Sequence, residues 1–209
     1  MDNLLRRVES LKKNAEIRRL ISHRLEDFRR LGEASSNEIF KELCFCLLAA
    51  NFNAERSILI QQKIGDGFLT MSEEELAEEL KKLGHRYPKT RAKYIVEARR
   101  CKDRIWEMVR PPNDARALRD WLVKEIRGLG YKEASHFLRN IGYTDLAILD
   151  FHILAILSRY GLIRKPKTLT RRRYLEIEEK LRSLAERAGL TLAELDLYLW
   201  YLETGKILK

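Results

Sequence analysis

Apolar residues recur at intervals of three and four along almost the whole chain, which is the spacing that places them on one face of an α-helix. Near the N-terminus the pattern runs through Leu4, Val8 and Leu11, and a second stretch runs from Ile17 to Phe28. No segment alternates apolar and polar residues over a length that predicts a β-strand. The sequence therefore predicts an all-α protein.

Local signals predict where individual helices begin and end. Ser72 is followed three residues later by Glu75, which predicts a capping box at the start of a helix that ends near Gly84. Pro88 suits the first turn of a long helix through Val109, and Pro111–Pro112 would stop that helix and form a hinge between two lobes. Further helices are predicted near residues 114–127, 131–140, 150–160, 170–188 and 191–203.

The charge of the chain favours a polyanionic partner. Its 209 residues include 41 Lys and Arg against 31 Asp and Glu, a net charge of +10 at pH 7. The basic residues cluster in stretches 86–104 and 159–182, which suggests one basic face. Nucleic acid is the polyanion that we expect first, although an ordinary solvated surface is the competing interpretation. With 45% hydrophobic residues the chain can also bury a sizeable core, as one large domain or two small lobes.

Several classes of protein are not expected. The longest apolar run, residues 44–50, is too short to span a bilayer, and the N-terminal residues lack the apolar core of a signal peptide, so we expect an intracellular protein. The 3 cysteines cannot all pair, and Cys44 and Cys46 lie in an apolar run, which favours buried, reduced thiols. No spacing of histidines and cysteines is typical of a zinc site, so no transition metal is predicted.

The stretch from Leu122 to Ile156 carries the most chemistry. One predicted helix ends at Gly128-Leu129-Gly130, and the next begins at once with Tyr131. Two glycines flanking an apolar residue permit a tight turn, and the backbone N–H groups that begin the second helix form an anion site suited to a DNA phosphate. This pattern is typical of a helix-hairpin-helix motif, although a glycine that ends one helix before another is common.

Two side chains near this turn suggest a reaction. Lys132 lies in the first turn of the second helix, whose positive end disfavours another positive charge and so favours the neutral, nucleophilic amine. Asp150 follows 18 residues later, at the expected N-cap of the next helix, where backbone donors would keep it ionised. A surface lysine and a plain helix cap are the simpler interpretations of each residue alone.

Together these features resemble the helix-hairpin-helix superfamily of DNA glycosylases. Almost the whole chain is similar to the archaeal-type (second) family of 8-oxoguanine DNA glycosylase/AP lyases. The blocks that carry this resemblance are KELCFCLLAANFNAE (41–55), IGDGFLT (64–70), LGHRY (83–87), GYKEASHFLRNIGY (130–143) and LDLYLWYLETGKILK (195–209).

The resemblance implies a fold and a mechanism. Residues 1–209 would form a single catalytic unit of two helical lobes, with the active site in the cleft between them and the hairpin at about residues 115–140. Lys132 would be the nucleophile that displaces 8-oxoguanine and forms a Schiff base, and Asp150 would assist it. β-Elimination would then cut the strand on the 3′ side. No redox cofactor is required, and a monovalent cation could bind the hairpin carbonyls near Arg127 and Leu129.

The resemblance also assigns the base pocket to the C-terminal helix and tail, residues 191–209. The terminal carboxylate of Lys209 would recognise the oxidised base, whose ring N–H donor replaces an acceptor of guanine. Trp200 and Tyr87 would stack on the flipped base. Core packing at helical spacing is the alternative for Trp200, and the family more often has Phe at the position of Tyr87.

Further residues are expected to contact DNA. By the resemblance, Asn51 and Phe52 would fill the gap left by the flipped base and touch the estranged one, while a helix C-cap is the alternative for Asn51. Gly128, Gly130 and His152 would also contact the duplex. We expect the partner to be double-stranded DNA containing 8-oxoguanine, bound by a monomer associated with the nucleoid.

Three other functions remain open at this point. A non-catalytic helix-hairpin-helix module would need Gly128 and Gly130 but neither Lys132 nor Asp150. A helical protein–protein adaptor would make the net charge incidental. A glycosylase for another damaged base would keep the same machinery with a different pocket.

Overall fold

The computed structural model describes residues 2–110 and 114–209, and within these ranges it contains helices and no β-strand. The prediction of an all-α protein is therefore confirmed. The helices are α1 (Asp2–Lys13), α2 (Ala15–Gly32), α3 (Ser36–Ala49), α4 (Ala54–Ile64), α5 (Gly67–Thr70), α6 (Glu73–Lys82), α7 (Pro88–Ala98), α8 (Lys102–Val109), α9 (Ala115–Glu125), α10 (Tyr131–Asn140), α11 (Phe151–Arg159), α12 (Arg171–Ala188) and α13 (Leu192–Thr204).

Short polar side chains start most of these helices. The predicted capping box is present at α6, where the Glu75 backbone N–H donates to Ser72 Oγ at 3.1 Å and the Ser72 N–H donates to the Glu75 carboxylate at 2.8 Å. A second capping box, between Thr191 and Glu194, begins α13. Such reciprocal bonds satisfy backbone donors that have no partner inside the helix.

The prediction of a single long helix from Pro88 to Val109 is wrong in one respect. Pro88 does begin α7, but a 3₁₀ turn at Arg99–Cys101 separates α7 from α8. At this turn the Arg99 guanidinium donates from Nε to the carbonyl of Phe68 at 2.8 Å. A contact across 31 residues thus fixes the interruption, and the helical spacing of apolar residues persists through it.

Two clusters of buried apolar side chains define two lobes. The first cluster is built from α3 to α10, and the second combines α1 and α2 with α11 to α13. Pro111–Pro112 lies outside the described residues, but Val109 and Leu118 on either side of it belong to the same cluster. The described residues that flank the two prolines thus belong to one lobe, and the chain passes between the two clusters after α2 and again after α10.

Helix α3 is the centre of the first lobe and is buried on almost every side. Cys44 and Cys46 lie on it as free, buried thiols, as predicted, and burial raises the pKa of both well above the ordinary value. Cys101 is also free and is half-buried. Across the described ranges, no helix combines the length and the apolar character needed to cross a bilayer.

Candidate active site

Helices α9 and α10 and the turn that joins them form a helix-hairpin-helix. The turn requires Gly128, whose φ of +86° lies in the left-handed region and whose added Cβ would meet the Tyr94 ring at 2.2 Å. Gly130 occupies the N-cap of α10 in extended conformation and supplies no side-chain cap. The first N–H groups of α10 are therefore open to an anion, as the sequence pattern predicts.

A buried ion pair fixes the hairpin to the second lobe. Arg119 in α9 donates through Nη1 and Nη2 to the two carboxylate oxygens of Glu178 in α12, at 2.6 and 2.9 Å. Arg119 Nη1 also donates to Ser135 Oγ in α10 at 3.2 Å. Both side chains of the ion pair are fully buried, so its bidentate geometry has to offset a large desolvation cost.

The same network positions the segment that leads to Asp150. The Ala147 N–H donates to Glu178 at 2.9 Å, and the buried Tyr174 hydroxyl donates to the Ala147 carbonyl at 2.6 Å. The Leu149 N–H in turn donates to the Tyr174 oxygen at 3.4 Å. These bonds hold the chain on both sides of Ile148 against α12, whose Glu178 and Tyr174 also bond to Arg119 and Ser135 in the hairpin. Asp150 is thereby held relative to α10.

Asp150 caps α11, as predicted, by accepting the Ile153 N–H at 2.8 Å. Burial raises the pKa of Asp150, while the capping bond and the nearby Lys132 charge oppose that rise. Desolvation thus outweighs the lowering by the backbone donors, so the pKa of Asp150 lies above its ordinary value. A carboxylate in this environment is a stronger base than an exposed one.

Lys132 is partly buried, with 24% of its side chain exposed. Its amine lies 3.2 Å from the Glu133 carboxylate, an ion pair that the sequence pattern does not predict. One helical turn later on α10 lies His136, whose pKa is lowered well below its ordinary value by burial and then by the charges of Arg139 and Lys132. His136 is therefore a neutral imidazole beside the amine.

Most of the predicted site residues share one cavity of about 840 Å³. It is lined by Lys132, Asp150, Trp200, Lys209 and His152, and also by Asn51 and Phe52. Of the remaining predicted residues, Tyr87, Gly128 and Gly130 are not in the lining. The lining also includes His136, Arg139 and Asp196, which are not among the predicted site residues.

The turn after α3 is held by two side chains that reach its last carbonyls. His85 contacts the Leu48 carbonyl through Nε2 at 3.0 Å, and Arg91 Nη2 donates to the Ala50 carbonyl at 2.6 Å. Because His85 Nδ1 accepts the Tyr87 N–H, Nε2 carries the ring proton. The end of α3 is thereby fixed in front of the cavity.

Asn51 and Phe52 follow this fixed helix end. Asn51 has a φ of +57°, the only positive value among the non-glycine residues that the structure describes. That conformation is typical of the residue after a helix, so the helix-end alternative accounts for the Asn51 backbone. Phe52 packs against His85 with ring centroids 4.2 Å apart, and both Asn51 and Phe52 border the cavity.

Three aromatic rings, from Phe151, His152 and Trp200, pack together in the cavity lining. His152 packs against Trp200 edge-on at 4.8 Å, and Phe151 lies over His152 at 3.7 Å. Trp200 is only partly buried and lines the cavity, which distinguishes it from a purely core residue. Phe151 is 65% exposed, an unusual environment for a large apolar side chain.

Tyr87 lies just before α7, outside the cavity lining, and 37% of it is exposed. The guanidinium carbons of Arg86 and Arg91 lie 5.1 and 6.0 Å from its ring centroid. Its backbone N–H connects it to His85 and through that ring to Phe52. Arg86, the residue before it, does line the cavity.

Part of the basic charge stabilises the protein itself. In stretch 86–104, Arg91 is buried and, like Arg99, donates to a backbone carbonyl. In stretch 159–182, Arg171 and Arg182 pair with Asp120 and Asp145. The interpretation of both stretches as a single DNA-facing surface is therefore too simple, since helical spacing does not distinguish an arginine that reaches inward from one that faces solvent.

Comparison with known proteins agrees with the geometry. A family model described as 8-oxoguanine DNA glycosylase matches residues 21–190. The chain is 54% identical to the 8-oxoguanine DNA glycosylase/AP lyase of Methanocaldococcus jannaschii, with 99% of each chain covered. It is 52% identical to the protein of the same name from Korarchaeum cryptofilum, covering 100% of this chain and 99% of that one.

Solved structures share the fold over the full length. The M. jannaschii 8-oxoguanine glycosylase/lyase in complex with a 15mer DNA containing 8-oxoguanine superposes with a TM-score of 0.95 at 53% identity, with 99% of each chain covered. The 8-oxoguanine DNA glycosylase of Thermotoga maritima gives a TM-score of 0.94 at 46% identity, covering 100% of this chain and 99% of that one. The predicted two-lobed helix-hairpin-helix fold and the resemblance are thus both confirmed: the chain belongs to the 8-oxoguanine DNA glycosylase family.

Proposed function

We propose that this chain excises 8-oxoguanine from duplex DNA through Lys132 and then cleaves the strand at the resulting abasic site. The observation that carries the proposal is the convergence of Lys132, Asp150, Trp200 and Lys209 on one cavity. Its volume of about 840 Å³ is sufficient for a flipped nucleotide. Membership of the glycosylase family supports the same reaction.

In the first step the Lys132 ammonium loses a proton to water, and the amine attacks C1′ of the flipped nucleotide. The new bond joins Nζ to C1′, and the C1′–N9 bond breaks with its electron pair going to the departing base. Asp150 lies near enough to Lys132 for the two charges to interact. As an anion it stabilises positive charge on the sugar, and its raised pKa suits it to accept a proton from the amine.

In the second step the C1′–O4′ bond breaks, O4′ takes up a proton, and the nitrogen lone pair forms the Schiff base between Lys132 and C1′. Loss of a proton from C2′ then breaks the C3′–O bond, which leaves a 3′ cut, and water releases the enzyme. All these steps use the amine, a carboxylate and water, so no redox cofactor is required. Lys132 must leave its ion pair with Glu133 before it reacts.

Recognition of the oxidised base is assigned to the C-terminal tail. The carboxylate of Lys209 would accept a hydrogen bond from the ring N–H that 8-oxoguanine has and guanine lacks, so guanine would leave a buried acceptor unpaired. Trp200, held edge-on against His152, would stack on one face of the base. Tyr87 would reach the other face only if it moves toward the cavity from its position outside the lining.

The duplex would be held by backbone groups and by the turn after α3. The open N–H groups of α10, reached through Gly128 and Gly130, would bind a phosphate, and a monovalent cation on the carbonyls near Arg127 and Leu129 would assist. Asn51, Phe52 and His152 would contact the DNA around the flipped nucleotide. We propose that one monomer suffices, because one chain contains the whole cavity, and that the enzyme works where the chromosome is, in the intracellular nucleoid.

A panel of duplexes tests the proposal. Each duplex carries 8-oxoguanine, another damaged base or undamaged guanine, and single-turnover base release is measured for the wild type and for Lys132→Gln. We expect the wild type to release 8-oxoguanine fastest and the variant to release none. DNA binding without release would instead indicate a non-catalytic module, and faster release of another base would indicate a different lesion.

A further inference from the structure

Glu42 is a carboxylate in the middle of a core helix, with 3% of its side chain exposed. Carboxylates are rarely buried to this extent unless they are fully partnered. One oxygen of Glu42 accepts the Lys209 ammonium at 2.7 Å and the Gln61 amide at 3.1 Å, and the other accepts the Asn140 amide at 2.6 Å. Glu42 thus connects α3, α4, α10 and the C-terminal tail.

The ammonium of Lys209 has further partners around Glu42. It donates to Gln61 Oε1, and it lies 4.3 Å from the centroid of the Phe45 ring. Gln61 is itself fixed, because its amide also donates to the Lys41 carbonyl at 2.9 Å. We call Glu42, Phe45 and Gln61 the lysine socket. A carboxylate, an amide oxygen and an aromatic face are together a strong site for a cation.

The other end of Lys209 lies at the cavity. Its backbone is beside the His136 ring, where it favours the protonated form of that imidazole. The His136 ring in turn packs edge-on against Phe45 at 5.4 Å, so the socket and the cavity wall share a contact. The side chain of the terminal residue is therefore held in the first lobe while its main chain borders the place where the base would bind.

We infer that Glu42 is a positioning residue for base recognition, which acts by holding the ammonium of Lys209 in the lysine socket. The inference rests on the proposed role of the Lys209 carboxylate. A C-terminal lysine carries a cation and an anion a few ångströms apart, and a free ammonium would fold back onto its own carboxylate or onto a DNA phosphate. Glu42 removes that competition, so the carboxylate stays available to the ring N–H of the base.

Glu42→Gln tests this in the full-length protein. Gln has nearly the same size: its one carbonyl oxygen can accept the Gln61 amide, and its new NH2 group can donate to Asn140 Oδ1 once that amide flips. The substitution removes the charge that holds the ammonium. We expect the rate of 8-oxoguanine release, divided by the rate of cleavage at a preformed abasic site, to fall about 10-fold. The abasic reaction needs Lys132 and no base recognition, so a merely structural defect would lower both rates and leave their ratio unchanged.

Glu38→Gln is the matched control, since Glu38 lies one turn earlier on the same helix and pairs with the Lys41 side chain instead. For this control, the ratio of 8-oxoguanine release to abasic-site cleavage should equal that of the wild type. In a Lys209→Met background, which lacks the ammonium but keeps the terminal carboxylate, Glu42→Gln should change the ratio less than about two-fold. Thermal unfolding verifies that each variant is folded.

The outcomes separate the two proposals. If the wild type releases no 8-oxoguanine, the proposed function fails and this inference fails with it. If the wild type is active but Glu42→Gln keeps the wild-type ratio, or if the two substitutions act additively, the positioning role alone is overturned.

Discussion

Arg139 in α10 and Asp196 in α13 form a buried ion pair beside the cavity, with 3.2 Å between Nη1 of the arginine and Oδ2 of the aspartate. Burial raises the pKa of Asp196 to about 7, and the nearby charge of Asp150 adds to this rise, although Arg139 opposes it. Burial also lowers the pKa of Arg139. Desolvation thus outweighs the attraction between the two charges, which is common for buried pairs.

This pair predicts that stability depends on pH. Folded protein keeps a proton on Asp196 up to about pH 7, whereas the unfolded chain loses it near the ordinary pKa of 3.8. The free energy of unfolding should therefore fall as the pH rises between these values and stay constant above them, as far as this group contributes. Guanidinium unfolding at about pH 5 and about pH 8 measures the difference, which for this group is on the order of 2 kcal/mol. Asp196→Asn should lose less stability than the wild type over this interval, and an equal loss would contradict the assignment.

Asp150→Asn separates capping from charge. Asparagine also caps a helix, so the bond from the Ile153 N–H and the melting temperature should be retained. The uncharged amide neither balances positive charge on the sugar nor accepts a proton, so we expect single-turnover release of 8-oxoguanine to slow about 100-fold. A variant as active as the wild type would show that the carboxylate is only a cap.

Gly128→Ala tests the hairpin turn. An alanine there combines a positive φ with a clash against the Tyr94 ring, which lies 2.2 Å from the added Cβ. Gly161→Ala is the matched control, because Gly161 has a φ of +69° with nothing within 4 Å of the added Cβ. Both variants should lose about 1 kcal/mol of stability from backbone strain, and Gly128→Ala should lose more because of the clash with Tyr94. Only Gly128→Ala should also weaken binding to an 8-oxoguanine duplex, and equal affinities for the two variants would contradict a DNA-binding role for the turn.

Extending the chain by two residues past Lys209 moves the terminal carboxylate and leaves the lysine side chain in place. We expect the preference for 8-oxoguanine over guanine to erode, while cleavage at a preformed abasic site stays within about two-fold of the wild type. The same two residues added before Met1 provide the control. An unchanged preference for the oxidised base would exclude the terminal carboxylate from recognition.

Local features of the fold were predictable from sequence. The capping box of Ser72 and Glu75 depends on residues three positions apart, and the turn at Gly128 to Gly130 depends on adjacent ones. The break at Arg99–Cys101 was not predictable, because it coincides with a bond from Arg99 to a carbonyl 31 residues away. Local spacing contains no information about such partners.

The site residues also divide into those that the sequence predicts and those that depend on distant partners. Resemblance between sequences identified Lys132, Asp150, Trp200 and Lys209, and the structure brings all four to one cavity. The sequence does not predict Glu42 as a site residue, because its partners Asn140 and Lys209 are 98 and 167 residues away. A glutamate within a run of core residues is the one sequence signal that could have indicated it. Likewise, capping predicted the place of Asp150 but not its raised pKa, which comes from burial by the folded chain.

Borohydride trapping tests the central claim most directly. Wild-type protein is incubated with a duplex containing 8-oxoguanine in the presence of borohydride, and the covalent complex is digested and mapped by mass spectrometry. Reduction of the Schiff base should leave the deoxyribose attached to Lys132, and Lys132→Gln should give no adduct under the same conditions. An adduct on a different residue, or release of 8-oxoguanine with no adduct at all, would contradict the assignment of Lys132 as the nucleophile.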